Sequence, residues 1–284
     1  MLVLVTLSAR STDGAPLFED AFATPPNTVG SLPSGWTAAG EGTNNDFVAA
    51  ANLLYPGLAD GTAGSWQHDG SQLQRYYRDF SGTGLPAGQV LYYSFLVRID
   101  SVGKLSPNGY TSGTVMLGTA TSVNPGNGTV AAFSFRKDSV DSTKFNIGVS
   151  FGFRGAANNT CSIIGLDSWA ATGGTAFGEG QTLLLVAEYS YTTSTVSSVR
   201  VWVNPAPGTF GAAAAPPPTL AIDGKGAYVG VPVQRILVSS IGNTSSASGL
   251  SMTLDAFRVG NTWADVTPKG GPVSFAMLDS MPRR

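Results

Sequence analysis

The chain has 284 residues, a net charge of −2 and only 12% charged residues, about half the usual share. No basic runs occur, which excludes an electrostatic footprint for nucleic acid. No apolar run approaches the roughly 18 residues that span a bilayer, and the single cysteine, Cys161, rules out an intramolecular disulfide or a multi-cysteine metal site. Hydrophobic content of 42% is ample for a core, and 36 glycines with 17 prolines suit a turn-rich β protein.

The opening run Met1–Ala9 is apolar but too short for a full export signal, so residues 1–15 read as a leader, either the remnant of such a signal or an ordinary one. Residues 16–268 read as one domain and 269–284 as a peripheral tail. Helical periodicity is nearly absent and strand alternation abundant. In LFEDAF, Phe18, Asp20 and Phe22 share a face. The stretch SWQHDG, with Trp66 and His68, is polar and loop-like. In Gln89–Asp100, Leu91, Tyr93, Phe95, Val97 and Ile99 form one face, and Tyr92, Ser94, Arg98 and Asp100 fall on the other, as in an antiparallel strand packed on one side.

Further strands are expected at Leu73–Phe80, Gly113–Leu117, Val130–Arg136, Phe145–Phe153, Thr182–Tyr191, Ser197–Asn204 and Gln234–Ser240. Leu183–Val186 has no polar positions and should be covered on both faces. Gly148, Ser150 and Gly152 leave room on one outer face for the floor of a groove. The proline-rich Gly211–Pro218 reads as a loop crossing from one sheet to the other. The closing Ser251–Val266 reads as a last strand, a turn and a tryptophan anchor, with Asp255 on the same face as Phe257 and Val259. The first and last strands are expected to meet, with Trp36 and Trp263 plugging the ends of the sandwich. About a dozen short strands joined by Gly/Pro turns mean an all-β, two-sheet antiparallel sandwich with little or no helix.

Taken in order, LFEDAF, Gly35-Trp36, the NLLYPGL of Asn52–Leu58, QVLYYSFLVRID and the closing LDAFRVGNTWADVTP resemble the concanavalin A-like (laminin-G-like) jelly-roll domains of bacterial secreted and cell-surface proteins. The resemblance covers roughly residues 16–268. It implies two stacked antiparallel sheets, one of them concave, in an extracellular or cell-surface protein. Lectins, carbohydrate-binding modules, glycoside hydrolases and lyases share that fold, so fold alone does not choose among them.

A glycosidase needs two carboxylates across a cleft. None of the four glutamates, Glu19, Glu41, Glu179 and Glu188, has an acidic partner at strand spacing on its own face. Glu188, in LLLVAEYSY, reads as a solvated or salt-bridged strand end, the alternative being that it projects into a groove near Tyr189 or Tyr191. His68 is the only histidine, and no nucleophile elbow is present. The chain is therefore expected not to be an enzyme, and no catalytic residue is assigned. Sugar binding needs aromatic faces and hydrogen-bonding side chains. The candidates are Trp66, His68, Tyr92, Arg98, Arg200 and Trp202. No cofactor is required, but Asp20 and Asp255, helped by Asn44-Asn45-Asp46, form a candidate structural Ca²⁺ site; the alternative is that each aspartate caps backbone amides. The resulting expectation is a lectin-like binding or surface module that holds polysaccharide on a concave sheet face. A structural protein assembling with copies of itself comes second, and a divergent glycoside hydrolase or lyase third.

Overall fold

The computed structural model describes residues 16–22, 32–39, 46–59, 64–70, 74–80, 89–105, 114–119, 129–150, 161–164, 173–193, 196–225, 233–240 and 250–270. The leader, the tail beyond residue 270, Asn44, Asn45, Phe151–Phe153 and the Cys161 side chain lie outside the described residues. The described residues form two antiparallel sheets of eight strands each, a jelly-roll type sandwich. The first sheet runs in the order β14 (Leu220–Lys225), β13 (Val196–Val203), β12 (Thr182–Thr193), β6 (Val90–Ser101), β16 (Leu250–Gly260), β4 (Ser65–Gly70) and β3 (Phe47–Ala49). The short β1 (Phe18–Asp20) also pairs with β16. The second sheet runs β10 (Cys161–Ile163), β9 (Lys144–Ser150), β8 (Thr129–Lys137), β7 (Thr114–Thr119), β15 (Val233–Ser240), β5 (Gln74–Asp79) and β2 (Thr37–Ala38), with β11 (Ala176–Gly178) on β9.

The first and last strands do meet. Phe18 lies opposite Val259 and Asp20 opposite Phe257. Alternation along the long strands builds the inter-sheet core: Leu91, Tyr93, Phe95, Val97 and Ile99 of β6 face Phe133 and Phe135 of β8 and Ile147 of β9. Trp36, Trp66 and Phe257 fill one end, with the Trp36 and Trp66 ring centres 4.9 Å apart. Trp36 thus serves packing, and its Nε1 donates to Asp20 Oδ2 at 2.8 Å.

The polar stretch around His68 is strand rather than loop. β4 sits between β16 and β3, and its alternation turns Trp66 and His68 inward, where both are buried. The cost of placing polar atoms there is offset by Asp46, which is fully buried. Asp46 Oδ2 accepts from Trp66 Nε1 at 3.2 Å and lies 2.9 Å from His68 Nδ1. The Tyr76 hydroxyl also bonds to Asp46, and burial first, then Asp46, push that hydroxyl far above its ordinary pKa.

The face assigned to Asp255 is corrected by a backbone irregularity. The β16–β6 pairing runs Asp255 to Leu96, then Arg258 to Ser94, so one extra residue is inserted into β16 as a β-bulge. Ala256 takes the left-handed conformation there, with φ 51°. Leu254, Phe257 and Val259 all point into the inter-sheet core, whereas Asp255 and Ala256 point outward. Asp255 is still buried, because a second apolar layer covers this outer face.

That layer consists of Leu53, Leu58, Phe210, Trp263 and Val266 packed on Leu96, Leu184, Val186 and Trp202. It accounts for the Leu183–Val186 run: Leu183 and Leu185 join the inter-sheet core, Leu184 and Val186 the outer cluster. Trp263 belongs to this layer, not to an end of the sandwich. It opens the single-turn helix α1 (Trp263–Val266), capped by Thr262 and Asp265. The turn into α1 requires Gly260, since a Cβ there would fall 2.2 Å from Asp265 Cβ. Gly260→Ala is expected to lower stability by about 1–3 kcal/mol; an unchanged denaturant midpoint would show that the turn gives way freely.

Candidate functional site

The outer face of the first sheet is divided by what covers it. Registers place Tyr92 of β6 opposite Glu188 of β12, and Glu188 opposite Arg200 of β13. These three therefore form one cross-strand row on the outward face. The next row, Val186 and Trp202, goes under the apolar layer. The site lies where the covering layer ends: a polar row on a rigid sheet, beside a hydrophobic shelf.

The row closes on itself by hydrogen bonds. The Tyr92 hydroxyl donates to Glu188 Oε2 at 2.7 Å, and the Arg200 guanidinium donates to Glu188 Oε1 at 2.7 Å. Arg200 also lies 3.6 Å from Asp223 Oδ1. Burial, then the bond to Glu188, push the Tyr92 hydroxyl well above its ordinary pKa. The hydrogen bond it donates to Glu188 likewise holds the Arg200 guanidinium above its usual value, so it remains charged. The Glu188 side chain is 10% exposed and that of Arg200 38%, so the guanidinium faces the solvent side of the pair.

This row forms the floor of an open groove of about 680 Å³. One wall is the Ala213–Pro218 segment, the other the turn Asn261–Trp263. The proline-rich stretch does not cross between sheets. It joins β13 to β14, neighbours in one sheet, and folds back over the outer face. Three consecutive prolines supply no amide donors; the segment is tied instead by its carbonyl, with Trp202 Nε1 donating to Pro216 O at 2.8 Å. Trp202 and Trp263 pack with ring centres 5.0 Å apart, and Trp263 Nε1 donates to Thr209 O at 2.8 Å. Both indoles are nearly fully buried. They support the floor, and the aromatic surface that reaches the groove is the half-buried Tyr92.

Of the six residues expected to bind sugar, the structure brings Tyr92, Arg200 and Trp202 together in this groove. Trp66 and His68 do not belong to any surface, being buried between the sheets around Asp46. Arg98 is on the same outer face as Tyr92 but about 20 Å further along β6, at 3.3 Å per residue. It is engaged there with Asp100 Oδ1 at 2.6 Å and Thr253 Oγ1 at 3.1 Å. Glu188 is no strand end but sits mid-strand and does project into a groove, with Tyr92 and Arg200 as its neighbours there, a relation that only the strand order shows. The small-residue face of β9 is no groove floor, because Ser150 is buried and Asn146 is bonded to Asp138 at 2.7 Å.

Asp20 and Asp255 do not suit a Ca²⁺ ion. Asp20 Oδ1 accepts the Phe22 amide at 2.9 Å, and Oδ2 takes both Trp36 Nε1 and the Arg78 guanidinium. Asp255 Oδ2 accepts the Leu53 amide at 2.7 Å and Oδ1 the Ala256 amide at 2.6 Å. Every oxygen of both carboxylates faces an N–H donor, one of them cationic, whereas Ca²⁺ needs open oxygens. The two side chains also lie on opposite faces of the first sheet. Among the described residues, no group of three or more His, Cys, Asp or Glu could hold a metal ion.

No known protein-family profile matches the chain, and no curated protein matches it in sequence. Solved structures are similar to it at low identity. Domain 4 of AbnA, a GH43 extracellular arabinanase from Geobacillus stearothermophilus in complex with arabinotriose, is 12% identical, with 89% of this chain and 97% of that one covered and a TM-score of 0.46. The PL-14 alginate lyase from Aplysia kurodai is 7% identical over 87% of this chain and 100% of that one, with a TM-score of 0.48. A carbohydrate esterase from Shiga toxin-encoding bacteriophage phi24B is 12% identical over 86% and 97%, with a TM-score of 0.43. The expectation that the chain is not an enzyme is corrected here. A carbohydrate esterase and an alginate lyase stand among these structures. No helix among the described residues is long and apolar enough to cross a membrane.

Proposed function

We propose that the chain is an extracellular, lectin-like module that holds a polysaccharide in the groove over Tyr92, Glu188 and Arg200. The observation that carries this reading is the hydrogen-bonded row itself. A hydroxyl, a carboxylate and a guanidinium are fixed side by side on three adjacent strands, next to an apolar shelf. A sugar presents the complementary combination, hydroxyls around the ring edge and C–H groups on its faces. Groups that hold one another in place lose little freedom when a ligand arrives, which favours affinity. The groove is open at the surface, as a chain that continues beyond the contacted residues requires.

The test is a glycan array, followed by affinity measurement and product analysis on the polysaccharides retained. Arg200→Ala is expected to weaken binding about tenfold or more, since a hydrogen bond to a charged group contributes about 1.5–3 kcal/mol. Circular dichroism of the variant checks that it folds. Unchanged affinity in a folded Arg200→Ala protein would place the site elsewhere, and retention of no glycan would remove the reading. Release of oligosaccharides or free acyl groups would show turnover at the site.

A further inference from the structure

We infer that the groove selects neutral glycan chains over polyuronates and sulfated polysaccharides, an inference that rests on the groove being the glycan site. The charges at the floor decide it. Among the described residues that line the groove, Arg200 is the only cation and Glu188 the only anion, and Asp223 stands just outside at 3.6 Å from the guanidinium. One positive charge thus faces two negative ones. The remaining walls are alanines, prolines, Asn261, Thr262 and Trp263, all uncharged.

An acidic sugar would need the guanidinium as its counter-ion. The incoming carboxylate or sulfate has either to sit on the free N–H groups between two anions, Glu188 and Asp223, or to displace Glu188, whose side chain is only 10% exposed. Displacing Arg200 would leave that carboxylate poorly solvated and facing a second anion, an arrangement opposed by both desolvation and like-charge repulsion. A neutral hydroxyl meets no such penalty. It can accept from the guanidinium N–H groups not used by Glu188 and donate to the free lone pairs of Glu188 or the Tyr92 oxygen, leaving the ion pair intact. The alanine wall then contacts the ring C–H face, where a charged substituent would gain nothing.

The experiment measures retention of the full chain on immobilised neutral glucan, arabinan and mannan, and on polygalacturonate, alginate and a sulfated galactan. The expected result is at least about tenfold tighter binding to one or more neutral chains, with affinity constant within about twofold from about 50 mM to about 500 mM salt, because no charge on the ligand is screened. Asp223→Lys, which reverses the exposed charge beside Arg200, is expected to raise retention of the polyuronates in a salt-sensitive manner. Tighter binding of polyuronate by the unmodified protein, falling as salt rises, overturns the inference and leaves the glycan site standing. Retention of neither class removes both.

Discussion

Asp46→Ala is expected to lower stability by about 3–5 kcal/mol, the range for removing one partner from a buried charged network. Asp46 is the acceptor at the centre of a buried polar cluster: Trp66 Nε1, His68 Nδ1 and the Tyr76 hydroxyl all bond to its carboxylate. None of these groups is exposed to solvent to any extent that would let water replace the carboxylate. The rings also touch, with Trp66 and Tyr76 centred 5.1 Å apart and His68 and Tyr76 5.7 Å apart, so the cavity left by alanine cannot be filled by small rotations. In a domain of this size such a loss corresponds to roughly 6–20 °C in melting temperature. Tyr76→Phe, which deletes a single hydroxyl and keeps the ring, serves as the control, with a cost of about 1 kcal/mol. A denaturant midpoint for Asp46→Ala that moved no further than that of Tyr76→Phe would show that the cluster does not hold the two sheets together.

The second large effect is on pH dependence. Burial pushes the Asp255 carboxyl from 3.8 up to about 7, against the amides of Leu53 and Ala256 and the charge of Arg258, which pull it down. Because the folded value lies above the unfolded one, this group favours the fold fully below about pH 4. Its contribution is then lost as pH rises through about 7, on the order of 4 kcal/mol in all. Between those limits the slope is about 1.4 kcal/mol per pH unit. Asp255→Asn removes the ionisation while keeping the size of the side chain. The difference in stability between the original and the variant is therefore expected to shift in the variant's favour by about 1.4 kcal/mol for each unit from pH 5 to pH 7. Urea titrations at pH 5, 6 and 7 check this, and a difference that does not change with pH would mean the carboxylate ionises as readily in the fold as outside it.

Much of the architecture was legible because alternation is a local property. The five inward residues of β6 and the doubly covered Leu183–Val186 run could be read directly, the latter because nothing polar interrupts it. So could the meeting of the terminal strands, which share an alternating Phe/Asp pattern. Three features escaped for identifiable reasons. SWQHDG looked like loop because its polarity outweighs its alternation; the acceptor that makes a buried histidine tolerable, Asp46, lies 22 residues away in sequence. The outward turn of Asp255 depends on a bulge at Ala256, where no glycine marks the left-handed backbone. The proline-rich segment returns to its own sheet rather than crossing; composition gives extension but not destination. The groove was half visible. Alternation alone places Tyr92, Arg200 and Trp202 outward on their strands, but their convergence on Glu188 follows from the neighbour relation of β6, β12 and β13, which no local pattern encodes.

The place of β16 in the sheet bears on how the molecule comes into being. Residues 250–260 hydrogen-bond to β6, β4 and β1, so a strand near one end of the chain joins segments roughly 150 to 240 positions upstream. Until those residues emerge from the ribosome, β6 lacks one of its neighbours, and β1 and β4 have no long strand to dock on. Such distant closure implies slow acquisition of the native state, in the millisecond-to-second regime typical of non-local β topologies or slower. Nascent chains stopped short of residue 250 should therefore remain substrates for chaperones and proteases.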